Sequence, residues 1–204
     1  MTFRIEKKIF VSLANIAKFY KLLNEKFAVE LHPERKIYSI YFDNEKFDMY
    51  NDSEEGLVPR KKIRIRSYDN FTSNQKYLEM KISSSEGRFK TNKLINDKLF
   101  NKFIGKGYFD LNYGLCRPRL IVSYLRSYYK VKSFRLTIDK KIYFKKFTNL
   151  NKLNSNFQVN IDKFVVEIKS RIQDGIKEKI LEEFPFNDLR ISKYCDAVKK
   201  LKLF

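Results

Sequence analysis

In the stretch Lys62-Ile63-Arg64-Ile65-Arg66-Ser67-Tyr68, basic side chains at 62, 64 and 66 alternate with isoleucines at 63 and 65. In an extended chain successive side chains point to opposite faces, so both arginines lie on one face of a sheet and the isoleucines on the other. The pattern predicts a strand over Lys61–Tyr68. The same period recurs on either side, with strands expected over Phe3–Phe10, Lys36–Phe42, Lys76–Ser83, Leu120–Lys130, Phe134–Ile138 and Phe164–Ser170. Weaker or edge strands are expected around Tyr143 and Phe157. Helical spacing predicts helices over Ser12–Phe27, Asn92–Ile104, Ile172–Phe184 and Ile191–Leu203, with Pro185 separating the last two. Thr148–Asn156 reads as an exposed loop. No repeat and no domain boundary is visible, so 1–204 is expected to form one domain.

The polar faces of these strands are mostly basic. Arg4, Glu6 and Lys8 oppose Phe3 and Ile5, while Glu79 and Lys81 oppose Leu78, Met80 and Ile82. Arg135, Thr137 and Asp139 oppose Phe134, Leu136 and Ile138, and Glu167 and Lys169 oppose Val166 and Ile168. A single strand of this kind is ordinarily half exposed, with its polar face in water. A solvated face, however, usually mixes both signs of charge with Thr, Ser and Gln. Closure of the sheet would turn the charged faces inward and leave the apolar faces for helices to cover. The expected fold is therefore α+β, a closed antiparallel β-barrel tunnel with flanking helices.

Composition points to a polyanionic partner. Lys and Arg total 43 against 24 Asp and Glu, a formal charge of +19 whose self-repulsion a bound anion would relieve. Nucleic acid, an anionic membrane and polyphosphate all satisfy that requirement. Thirteen Tyr and nineteen Phe could stack bases, but core packing accounts for them and no nucleic-acid motif is present, so nucleic acid is not expected. Cys116 and Cys195 lie far apart and His32 is the single histidine, leaving no Cys/His set for zinc. Both thiols are expected to be reduced and structural, and His32 to be a loop or strand-entry residue. No apolar run reaches signal-peptide or membrane-span length, so a cytosolic protein is expected, with any membrane partner a separate chain. Carboxylates among basic residues suit Mg²⁺ or Mn²⁺, which take oxygen ligands from one or two carboxylates and from substrate phosphates.

In order along the chain come Arg4-Ile5-Glu6-Lys7-Lys8, Ser39-Ile40-Tyr41-Phe42-Asp43-Asn44, Arg60, Ile63-Arg64-Ile65-Arg66, Glu79-Met80-Lys81 and Arg88-Phe89-Lys90. Arg117-Pro118, Tyr124-Leu125-Arg126, Phe134-Arg135-Leu136-Thr137-Ile138-Asp139, Val166-Glu167-Ile168-Lys169 and Ser192-Lys193-Tyr194 follow. Each is weak alone, but together and in this order the chain resembles the polyphosphate polymerase domain of the vacuolar transporter chaperone proteins, among the triphosphate tunnel metalloenzymes. That resemblance implies an eight-stranded tunnel and transfer of the terminal phosphate of ATP to a growing polyphosphate chain. It implies phosphate binding and catalysis by Lys8, Arg64, Arg66, Lys81, Arg126, Arg135 and Lys193. Arg4, Arg60, Arg88, Lys90 and Lys169 would assist in substrate binding. It makes Glu167 the main metal ligand and Glu6 a second one. The wider superfamily has an E-x-E-x-K first strand. Arg4 replaces the first glutamate here, which favours the polymerase over a tripolyphosphatase or nucleoside triphosphatase using the same tunnel. A non-catalytic scaffold with the same fold is a further alternative.

Overall fold

The structure is a computed structural model that describes residues 4–69, 71, 75–149, 158–159, 163–171, 176–186 and 191–203. Its strands are β1 (Arg4–Ser12), β2 (Val29–Asp43), β3 (Arg60–Tyr68), β4 (Lys76–Ser83), β5 (Arg88–Ile95), β6 (Tyr108–Asp110), β7 (Gly114–Val131), β8 (Phe134–Lys146), β9 (Gln158–Val159) and β10 (Lys163–Arg171). The helices are α1 (Ile16–Glu25), entered through a 3-10 turn at Leu13–Asn15, then α2 (Asp48–Glu55), α3 (Asp97–Lys106), α4 (Ile176–Glu183) and α5 (Lys193–Lys200). None of the described helices is long and apolar enough to cross a membrane.

The antiparallel, strand-dominated α+β architecture is as expected, but the sheet does not close. The strands are hydrogen-bonded in the order β1-β10-β8-β7-β2-β3-β4-β5, with β6 added to β7 and β9 to β8. Closure would require β1 to pair with β5. Among the described residues, β1 and β5 instead end the order. The reason lies in what alternation encodes: it assigns each side chain to a face and says nothing about whether the two ends of a sheet meet. β5 is also basic enough for an edge, with Arg88, Lys90 and Lys93 exposed, and charged edges discourage further pairing.

Contacts divide the chain into two compact units. One contains Met1–Arg35, Tyr124–Ile142 and Asn160–Ile191, the other Lys36–Ser123, Tyr143–Val159 and Ser192–Phe204. Each has its own core. In the first, Ile9 and Val11 of β1, Leu136 and Ile138 of β8, and Val166 and Ile168 of β10 pack against Phe19 and Leu23 of α1 and Ile180 of α4. In the second, Ile40 and Phe42 of β2, Ile63 and Ile65 of β3 and Leu78 of β4 pack with Met49 of α2 and Phe100 of α3. In β1, β2, β3, β4, β8 and β10 the apolar parity is the helix-covered face, so their charged parity lies on the face opposite each core.

Several element boundaries differ from expectation. Asn92–Ile104 is not one helix: Arg88–Ile95 is strand β5, and α3 begins only at Asp97. Seven of the eight β5 residues are exposed, so the strand shows no apolar alternation. Helix α2 escapes notice because its sequence Asp48-Met49-Tyr50-Asn51-Asp52-Ser53-Glu54-Glu55 is mostly polar. His32 lies within β2, its ring edge-on to Tyr128 at 5.6 Å. Both cysteines are free and buried. Phe157 and most of Thr148–Asn156 lie outside the described residues.

Candidate functional site: two basic strand faces

In the second unit the pairing register assembles one charged face. Arg66 stands opposite Ser39, Arg64 opposite Tyr41 and Glu79, Lys62 opposite Lys81, and Lys81 opposite Lys90. Directly opposed residues of an antiparallel pair share a face. β2, β3, β4 and β5 therefore present Tyr41, Lys62, Arg64, Arg66, Lys81 and Lys90 together, around the single carboxylate of Glu79.

Glu79 is the hub of this face. Its Oε2 accepts from Arg64 Nε at 2.7 Å and its Oε1 from Lys90 Nζ at 2.7 Å, with Arg66 Nη1 3.6 Å from Oε1. Burial would raise the Glu79 carboxyl, but Arg64, Arg66 and Lys90 outweigh it and bring it down from 4.5 to about 2. Arg64 also donates from Nη1 to the Tyr41 hydroxyl at 2.8 Å. Burial works against the Tyr41 phenolate, yet Arg64, Arg66 and Lys193 hold the phenol below its ordinary range. Burial lowers both Lys62 and Lys90, Lys62 further by the like charge of Lys81 and Lys90 further by Arg66 and Arg64. Lys62 Nζ donates to Ser192 Oγ at 2.8 Å, beside Cys195 Sγ at 3.7 Å.

The frame behind this face is hydrogen-bonded. Asp43, fully buried at the end of β2, accepts from the backbone N–H groups of Asn44 (2.8 Å), Met49 (3.1 Å) and Tyr50 (3.1 Å), and so satisfies donors that the start of α2 would leave orphaned. The Tyr194 hydroxyl donates to the same carboxylate. Burial raises Asp43 overall despite these donors, and both burial and the Asp43 charge push the Tyr194 phenol far up. Tyr194 in turn stacks on Tyr41, ring centroids 5.1 Å apart. Ser192 caps α5 by accepting from Cys195 N at 3.3 Å. Two of the quoted motifs, Tyr41-Phe42-Asp43-Asn44 and Ser192-Lys193-Tyr194, thus meet around one buried carboxylate.

The first unit carries a second charged face. Glu6 stands opposite Lys169, Lys8 opposite Glu167, Glu167 opposite Thr137, and Lys169 opposite Arg135. Glu167 Oε1 lies 2.5 Å from Lys169 Nζ, and Glu6 Oε1 is 3.9 Å from Lys8 Nζ. Burial would raise the Glu167 carboxyl, but Lys169, Arg126 and Lys8 hold it well below the usual carboxylate range. Arg126 grips Asp139 with two bonds, Nε to Oδ1 at 2.5 Å and Nη2 to Oδ2 at 2.7 Å. Burial opposes the Arg126 charge, but Asp139 more than restores it. The buried Thr137 Oγ1 has no hydrogen-bond partner.

Of the residues expected to bind substrate or metal, Arg64, Arg66, Lys81 and Lys90 lie on the second unit's face, and Glu6, Lys8, Arg135, Glu167 and Lys169 on the first unit's. Lys193 opens α5 and acts electrostatically on Tyr41. Lys8 Nζ also donates to the carbonyl of Ile191 at 3.1 Å. Arg60 is turned to other work: its Nη1 donates to the carbonyls of Gly56 (3.1 Å) and Leu57 (2.8 Å) just past α2. Arg88 is exposed on β5, and Arg4 lies on β1, with its side chain outside the described set. Tyr41, Lys62, Asp43 and Asp139 were not among the expected site residues. Parity alone could have found Lys62, which shares its face with Arg64 and Arg66, and Tyr41, which alternates with Ile40 and Phe42. A cavity of about 410 Å³ lined by Asn44, Glu45, Lys46, Asp48, Tyr113, Leu115 and Arg117 contains none of the expected residues.

The antiparallel sheet thus has helix-covered apolar faces and basic polar faces. A Bacillus halodurans protein provisionally described as an adenylate cyclase has the same fold, with TM-score 0.64, 13% identity and coverage of 98% of this chain and 97% of that one. A conserved Pyrococcus furiosus protein of unassigned function gives TM-score 0.58 at 15% identity, covering 95% of this chain and 99% of that one. A Vibrio parahaemolyticus protein, also provisionally described as an adenylate cyclase, gives 0.57 at 14% identity, covering 97% and 98%. No curated protein sequence matches significantly. The VTC domain model matches residues 3–113 and 106–202, and the chain belongs to the VTC domain family.

Proposed function

We propose that this protein is a polyphosphate polymerase that transfers the terminal phosphate of ATP onto the end of an inorganic polyphosphate chain. The observation that carries the reading is the face built on β2–β5. Five basic side chains surround one carboxylate there, and that carboxylate is already engaged by three of them. Such a surface has excess positive charge, and linked phosphates offer the acceptor oxygens that guanidinium forks and ammonium groups bind most strongly. VTC family membership supports the same conclusion.

The residues present fit a divalent cation in a limited way. Among the described residues no three acidic, His or Cys side chains group together. Glu167, kept ionised by its neighbours, faces a Thr137 hydroxyl that lacks any partner, and Glu6 shares their face. Mg²⁺ and Mn²⁺ commonly bind through one or two carboxylates and take their remaining ligands from phosphate and water, which suits this donor set. Bound there, beside Lys8, Arg135 and Lys169 of the same face, a cation would neutralise charge on bound phosphate. The basic side chains orient the donor triphosphate, and the terminal oxygen of the acceptor chain attacks the γ-phosphorus in line while the bond to the β,γ-bridging oxygen breaks and ADP leaves, so no protein nucleophile is required.

Purified protein incubated with ATP and Mn²⁺ is expected to give long phosphate chains on a gel. Free phosphate without chain growth would identify a hydrolase. Cyclic AMP with pyrophosphate would instead transfer to this chain the activity provisionally ascribed to its structural neighbours. Glu167→Ala should abolish metal-dependent turnover while circular dichroism shows the fold retained; wild-type turnover in that variant would refute the metal assignment.

A further inference from the structure

We infer that the β6–β7 hairpin, together with α3, forms a docking surface for an anionic phospholipid bilayer. Phe109 and Leu115 are opposed in the β6–β7 register and therefore share one face of the hairpin. They are 68% and 44% exposed, and Leu111 at the turn is 94% exposed. The other face supplies Cys116 and Tyr108 to the core, so the hairpin is anchored on one side and presents bare apolar side chains on the other. Exposed apolar groups clustered at a rigid tip mark an interaction site.

The charge beside that tip identifies the occupant. Helix α3 carries Lys98, Lys102 and Lys106 at successive i,i+4 positions, all exposed and none in an ion pair with another described residue. Its opposite side buries Phe100 and packs Leu99, Phe103 and Ile104 on the core. Gly107 fixes the helix end against the hairpin. With φ +86°, a Cβ there would lie 2.7 Å from the Cys116 carbonyl oxygen, 3.0 Å from Leu115 and 3.4 Å from Arg117. The helix that carries the lysine stripe thus ends against the strand that carries Leu115, with the exposed Arg117 beyond it on the same strand face. Lipid-facing apolar groups flanked by cations complement the acyl and phosphate layers of an anionic leaflet. A second copy of the chain is a poor match, because each copy carries +19.

The chain has no tryptophan, so Leu111→Trp introduces a single reporter. With vesicles of mixed neutral and anionic phospholipid, its emission should shift to the blue and become shielded from an aqueous quencher; neutral vesicles should produce little change. In co-sedimentation, Phe109→Ser/Leu111→Ser should weaken binding to anionic vesicles at least about tenfold. Lys98→Glu/Lys102→Glu should weaken it more than the same change at Lys18 and Lys21 of α1. Equal effects of the two charge pairs, or full binding by the double-serine variant, would show diffuse charge attraction only and overturn the proposal. So would a blue shift of the indole reporter that grows with protein concentration in the absence of vesicles, which would assign the tip to self-association, or one produced only by a protein partner.

Discussion

Glu79 shows how a buried charge on a basic face behaves. Three cations surround it and its side chain is nearly sealed from water, so Glu79→Gln would leave Arg64, Arg66 and Lys90 without their shared counter-charge. Removing one partner of a buried ion network costs about 3 kcal/mol, measurable by urea unfolding. The pH dependence follows from the lowered carboxyl. The stabilisation is complete above the ordinary value of 4.5 and fades as pH falls toward about 2, so the difference between wild type and Glu79→Gln should shrink across that interval. Lys62 and Lys90 give the opposite dependence. Both are held below the usual lysine range, and a bound polyphosphate would restore their protons. Triphosphate binding should therefore take up protons at alkaline pH and weaken as pH rises through the lowered lysine values. Calorimetry in buffers of different ionisation enthalpy would reveal this uptake. At this scale the arginines of β3 were legible from parity alone. The role of Glu79 was not, because its three partners come from two different strands.

Single elements depend on their ends. Ser192 caps α5 and also receives Lys62, so Ser192→Ala should cost about 1 kcal/mol for the cap and leave Lys62 without that acceptor. Gly107→Ala places a methyl group against the Cys116 carbonyl in a left-handed backbone region, and thermal unfolding should show a loss of about 2 kcal/mol. β4 was expected over Lys76–Ser83 and found over those residues, and β3 begins one residue earlier than expected, because each alternates cleanly between a core face and a charged one. β5 and α2 were missed for the opposite reason: one is exposed on both faces, and the other buries only Met49, Tyr50 and Ser53. Periodicity reports burial, and an element without a buried stripe leaves no trace in it.

For the whole chain, the antiparallel α+β plan follows from repeated alternation, whereas closure did not. Whether a sheet's ends pair is decided by long-range hydrogen bonding that a local pattern does not encode, and β1 and β5 stay at the ends of the order. The resemblance to the VTC family is legible in many weak motifs taken in sequence order, and the VTC domain model matches residues 3–113 and 106–202. A charge of +19 attracts any polyanion, so specificity must come from the placement of the cations, and polyphosphate should bind more tightly than RNA of equal charge at one ionic strength. Whether the β3 arginines bind linked phosphates is decided by calorimetric titration of tripolyphosphate into wild type and into Arg64→Ala/Arg66→Ala. Saturable binding is expected in the wild type, weakened at least about tenfold in the double variant. Equal affinity in both proteins, with the fold intact, would contradict phosphate binding by these arginines.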